Sequence, residues 1–169
     1  MPRWCLSQKG MVFKMKIIEK EEMFLCGFLV KSEEGNSWER YEKATENYEQ
    51  PELVDWSGYE VWFFPADGEY LFTGCRQKEK IISANYELLC VPAAVWAVFD
   101  IDHKIDQNQQ YTNIDKWLEE NKNSYKRFLW DADGRVDISE FVICRFDHDG
   151  KFGKEKIMEY WIPLVKLPK

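Results

Sequence analysis

The side chains best suited to chemistry in this sequence are carboxylates set among indole and phenol rings. Near the C-terminal end, residues 137–146 read DISEFVICRF, and strand alternation sends Glu140, Val142, Cys144 and Phe146 to one face. Pairing this run with residues 155–165 (EKIMEYWIPLV) about the polar turn between them sets Trp161 opposite Glu140, with Glu159 on the same face. A carboxylate between rings supplies the counter-charge for a cation that ring faces already attract, by about 0.5–2 kcal/mol per contact. Glu140 and Trp161 are therefore the expected pocket pair, with Trp62 or Trp96 from the first half of the chain closing the same cavity.

Other constellations carry less. Asp131-Ala132-Asp133-Gly134 followed by Asp137 and Glu140 has the look of a calcium loop, but a glycine is required at its sixth position and a bidentate carboxylate at its twelfth. Here Val136 stands sixth and Glu140 tenth, so the segment reads as a turn between helix and strand. His103 and His148 lie in polar stretches without a neighbouring Ser or Cys nucleophile motif, which gives no Ser-His or Cys-His machine. Cys5, Cys26, Cys75, Cys90 and Cys144 form no CxxC pair, and most sit among apolar neighbours. They read as reduced core thiols, and neither metal nor cofactor is expected.

These residues need elements to place them. Residues 15–30 read as an extended segment with a break at EKEE. Ser37 is placed to cap a helix whose Trp38, Tyr41, Ala44 or Thr45, and Tyr48 share a face, and Pro51 ends it. Residues 59–65 and 69–77 then form a hairpin about Ala66-Asp67-Gly68. The order recurs: a strand over residues 86–100, with Pro92 marking a bulge or edge, then a helix capped at Thr112 or Asn113 with Ile114, Trp117, Leu118, Tyr125, Phe128 and Leu129 as its stripe. A second hairpin, residues 136–146 and 155–165, closes the chain. Two β-α-β-β units imply an α+β fold by duplication, an antiparallel sheet with both helices on one face and the other face left for a ligand. Trp38, Trp117 and Trp130 read as core residues of helices.

Composition bounds the partners. With 169 residues, 45% of them hydrophobic, the chain suits one ordinary domain, and residues 1–14, without periodicity, read as a peripheral lead-in to a domain over residues 15–169. Fourteen residues are too few for a helix-turn-helix, so the domain is expected to stand alone. A net charge of −7 argues against a nucleic acid or anionic-membrane partner, both of which need a basic face. The longest apolar run, residues 91–99, is far short of the roughly 20 that cross a bilayer, and the N-terminal stretch has no signal-like apolar core, so a cytoplasmic location is expected. Aromatic residues make up 16%, more ring surface than packing usually recruits, which suits a wall for flat ligands.

Four segments carry a resemblance to a known family. They are FLCGFLV, the hairpin YEVWFFPADGEYLFTGCRQ, the strand VPAAVWAVFD and the terminal MEYWIPLVK, and with the helix YTNIDKWLEENKNSY the likeness spans residues 15–166. In order and spacing they resemble the GyrI-like small-molecule-binding domain, also found as the effector-binding half of AraC-type and multidrug-responsive bacterial regulators. The resemblance implies a pocket carboxylate on the penultimate strand in a Phe-Glu-x-Tyr pattern, ringed by aromatics that bind flat, often cationic, compounds. That carboxylate corresponds to Glu140 or, on a stricter fit of the Phe/Tyr frame, its place is held by Cys144.

The expected function is binding, by a monomer or homodimer that sequesters or senses a planar hydrophobic or cationic aromatic molecule. A second reading, implied by stand-alone relatives, is hydrolysis of strained cyclopropane-bearing DNA-alkylating compounds, with Glu140 positioning a water. A third, which the family name suggests, is inhibition of DNA gyrase by an acidic surface.

Overall fold

The computed structural model describes residues 3–6, 12–102, 105–147 and 156–169. In chain order its elements are β1 (Arg3–Leu6), β2 (Val12–Lys20), β3 (Met23–Lys31), α1 (Ser37–Asn47), β4 (Leu53–Phe63), β5 (Tyr70–Gln77), β6 (Glu87–Val91), β7 (Ala94–Asp102), α2 (Gln107–Glu120), β8 (Tyr125–Arg127), β9 (Phe141–Asp147) and β10 (Lys156–Lys166). Among the described residues ten strands form one antiparallel sheet in the order β1-β2-β7-β10-β9-β4-β5-β3-β6, with β8 alongside β10.

The duplicated plan is visible in that order. In the first unit β5 lies between β3 and β4; in the second β10 lies between β7 and β9. The units join where β4 runs antiparallel to β9, from Ser57↔Asp147 to Phe63↔Phe141. Both helices lie over the same face, α1 on β3 and β5 and α2 beside β7. The α+β class read from the sequence is therefore the observed one. Residues read as a lead-in contribute β1, which pairs with β2.

Local chemistry explains the boundaries. The first helix begins one residue earlier than its Ser37 cap: Asn36 is the N-cap, its side chain accepting from Glu39 N at 3.2 Å. Ser37 instead turns inward, 2.6 Å from Thr73 Oγ1. The second helix starts well before Thr112, capped by Asp106, which accepts from Gln109 N at 2.9 Å. It also ends earlier, so Tyr125 belongs to β8 and Phe128 and Leu129 lie beyond it. Gln110 is buried because its amide closes three backbone bonds, to Asp102 N, Asp102 O and Ile105 O, that fasten α2 to the end of β7. The strand expected over residues 86–100 is two strands, split at Pro92 as proline's missing N–H requires.

The segment before β9 is where the structure departs furthest from the alternating pattern. Residues 136–140 are not strand. They belong to a loop closed by the paired backbone bonds of Trp130 and Ser139, both 3.1 Å, in which Ala132, Asp133 and Gly134 take positive φ. This loop buries Trp130, Ala132 and Val136 on the sheet face opposite the helices. Trp130 is thus a core residue of a loop and not of a helix. There Phe63 and Phe141 stack at 5.8 Å, and Trp96 meets Phe141 and Trp161 edge-on at 6.0 and 5.8 Å. The face the sequence reading left for a ligand has this aromatic cluster at its centre.

Candidate functional site

The open groove with an aromatic floor lies on the helix side, astride the β4–β9 junction, with a volume of about 470 Å³. Its floor comes from alternate residues of the two central strands, Glu60, Trp62 and Phe64 on β4 and its end, and Val142, Cys144 and Phe146 on β9. Tyr160 and Met158 of β10 extend it, and Gln107 and Tyr111 of α2 form a wall. Two other depressions have similar volumes, about 520 and 540 Å³, but differ in kind. One is lined by a single chain stretch ending at the exposed Trp56, and the other carries Arg40 and Lys43 of α1.

Glu60 is the centre of the groove. Trp38 of α1 donates its indole N–H to Glu60 Oε2 at 2.5 Å, and Trp62 donates to Oε1 at 3.2 Å. The carboxylate is thereby held in one orientation by a ring from the helix and a ring from its own strand, both through charge-assisted bonds. In the sheet, Glu60 is opposite Cys144, and Cys144 opposite Tyr160, so a carboxylate, a thiol and a phenol form one rung. Tyr111 meets the Tyr160 ring edge-on at 5.3 Å, and its hydroxyl accepts from Gln107 Nε2 at 3.2 Å.

Electrostatics leave the thiol and phenols protonated. Burial, with the Glu60 charge second, pushes the Cys144 thiol up to about 12. Burial likewise raises the phenols of Tyr160 and Tyr111, each with Cys144 as the next cause. Among the described residues, none that lines the groove is Lys, Arg or His.

The residues expected to share one cavity are divided between the two faces. Trp62 and Cys144 line the groove. Trp96 and Trp161 are buried in the aromatic cluster of the opposite face. Glu159 is on that opposite face too, only 4% exposed, accepting from Arg145 Nη1 at 3.0 Å and from Trp161 Nε1 at 3.3 Å. Arg145 also reaches Asp55 at 3.5 Å, so this is an internally satisfied network. Glu140 does not meet Trp161: it precedes β9, is exposed, and lies 3.7 Å from Arg127. The pairing drawn from the turn was offset, for Trp161 stands opposite Ile143.

Sequence reasoning missed Glu60, Tyr111 and Tyr160. The signal for Glu60 was present in YEVWFF, where a charged residue interrupts a ring-rich strand two positions before Trp62 and therefore on its face. His103 and His148 lie outside the described residues. Cys26, Cys75 and Cys144 are buried free thiols, and Cys90 is half-buried. Among the described residues no group of three or more His, Cys, Asp or Glu is placed to hold a metal, and no helix is long and apolar enough to cross a membrane.

The fold recurs in solved structures of other proteins. The fold is shared with SAV2435 bound to tetraphenylphosphonium, at 12% identity over 89% of this chain and 93% of that one, with a TM-score of 0.58. It is shared equally with the EcmrR C-terminal domain, at 12% identity over 93% and 100% of the two chains, with a TM-score of 0.61. At these identities the likeness establishes a common fold. No protein-family model and no curated protein matches the sequence.

Proposed function

We propose that the chain binds a lipophilic cation in the groove between α1 and α2, with Glu60 as counter-charge and Trp62, Tyr111 and Tyr160 as ring walls. The observation that carries this reading is a carboxylate oriented by two indole N–H groups within an aromatic groove in which no basic side chain is found among the described lining residues. A carboxylate has about four lone-pair sites, so two N–H bonds leave acceptor capacity for a ligand. The ring faces add about 0.5–2 kcal/mol per cation contact, which a neutral ligand of the same shape forgoes.

The protonated thiol and phenols support retention over turnover, because none of them is an activated nucleophile. SAV2435, of the same fold, is bound to tetraphenylphosphonium, a lipophilic cation. The EcmrR C-terminal domain shares that fold, and both agree with the GyrI-like resemblance of the sequence.

The test is intrinsic tryptophan fluorescence against methyltriphenylphosphonium and the neutral triphenylphosphine oxide. The cation should quench at micromolar concentration and bind more tightly than the oxide. Glu60→Gln, which keeps size and removes charge, should weaken the cation by about tenfold and leave the oxide nearly unchanged. Equal losses for both compounds, or no quenching by the cation in the unaltered protein, would contradict the reading.

A further inference from the structure

The groove carries a second carboxylate. Glu69 lines it at one end, immediately before β5, while Glu60 sits at its centre. The register fixes their spacing: Glu60 pairs with Thr73 and Phe63 with Tyr70, so Glu69 is four residues along β5 from the residue facing Glu60. At about 3.3 Å per residue and one strand spacing of about 4.8 Å sideways, their backbones stand about 14 Å apart. Parity sends both side chains to the helix face, where the ring of Trp62 lies between them and Phe64 stands beside Glu69.

The two carboxylates differ in how they are held. Glu60 is half-buried and bonded by Trp38 and Trp62, while the Glu69 side chain is exposed and, among the described residues, neither accepts a hydrogen bond nor joins an ion pair. A trough with one negative charge at its centre and another at one end, an aromatic floor between them and, among the described residues, no lining Lys, Arg or His focuses a potential that one positive charge neutralises only in part. We infer that the groove's preferred ligands are elongated dications, two positive centres joined by an apolar spacer, with one centre at Glu60 and the other at Glu69. This rests on the cation-binding reading and adds to it the charge number and length of the ligand class.

Calorimetric titration of the full chain separates the two claims, using decamethonium, the shorter hexamethonium and the singly charged decyltrimethylammonium. Decamethonium should bind about fivefold more tightly than decyltrimethylammonium, beyond the advantage of having two identical ends, and hexamethonium, too short to span, should lose that gain. Glu69→Gln, a change at an exposed side chain, should abolish the decamethonium advantage and weaken decyltrimethylammonium far less. Glu60→Gln should weaken both. If the monocation binds through Glu60 but decamethonium gains nothing, or if its gain survives Glu69→Gln, the dication inference is overturned and the cation site stands. If neither compound binds, both fall together.

Discussion

At Glu60 the groove's chemistry reduces to one carboxylate and what surrounds it: two indole donors, a thiol across one strand boundary and a phenol across the next. The thiol makes a prediction of its own. Burial and the Glu60 charge push Cys144 up from its ordinary 9.0 to about 12, and burial with Cys75 nearby does the same for Cys26. Because the folded chain holds these protons more tightly than the unfolded chain, the stabilisation is complete below about pH 9 and is lost as pH rises toward 12. Urea midpoints should therefore fall between pH 8 and pH 10, by about 1 kcal/mol per thiol over the first unit above 9, and Cys144→Ala should flatten the slope. A midpoint unchanged across that range would show that neither thiol is held as described.

At the scale of elements, the first unit depends on how closely β3 approaches β5. Gly27 pairs with Gly74, and a Cβ on either would fall 1.9–2.0 Å from the carbonyl oxygen of Thr73 or Cys26 on the other strand. Those contacts are backbone, so no rotamer change relieves them. Gly74→Ala should cost about 3 kcal/mol, read as a lowered thermal midpoint, and should loosen α1, which packs on these two strands. A midpoint within error of the unaltered chain would contradict the close approach.

The hairpins, the two helices and the duplication were legible because turn residues, caps and apolar period agreed there. The side of the sheet that holds the groove was not. In residues 59–64, Tyr59, Val61 and Phe63 face the aromatic cluster while Glu60, Trp62 and Phe64 face the groove, so both parities are ring-bearing and alternation does not choose between them. The start of β9 misled for a related reason. Residues 136–140 alternate as a strand does, yet Ala132, Asp133 and Gly134 turn the chain through positive φ and the Trp130–Ser139 bridge closes it, which leaves Glu140 on a loop. Nothing local in the sequence announces that long-range closure.

For the whole molecule, the sheet divides its aromatic residues between two tasks. On one face the loop over residues 128–140 covers Trp96, Trp161, Phe63 and Phe141, giving a buried core that joins both units. On the other, the two helices stand on different units, and the junction between them exposes Glu60 and its rings. A ligand seated there would touch both halves and, binding only the folded chain, would raise its thermal midpoint in proportion to the logarithm of ligand concentration above Kd. The measurement that tests the central claim most directly is a crystal structure of the chain with tetraphenylphosphonium. The cation should lie between α1 and α2, its phosphorus nearest Glu60 and its phenyl groups against Trp62, Tyr111 and Tyr160. A cation found on the opposite face beside Trp161, or at the Glu140 loop with the groove empty, would contradict it.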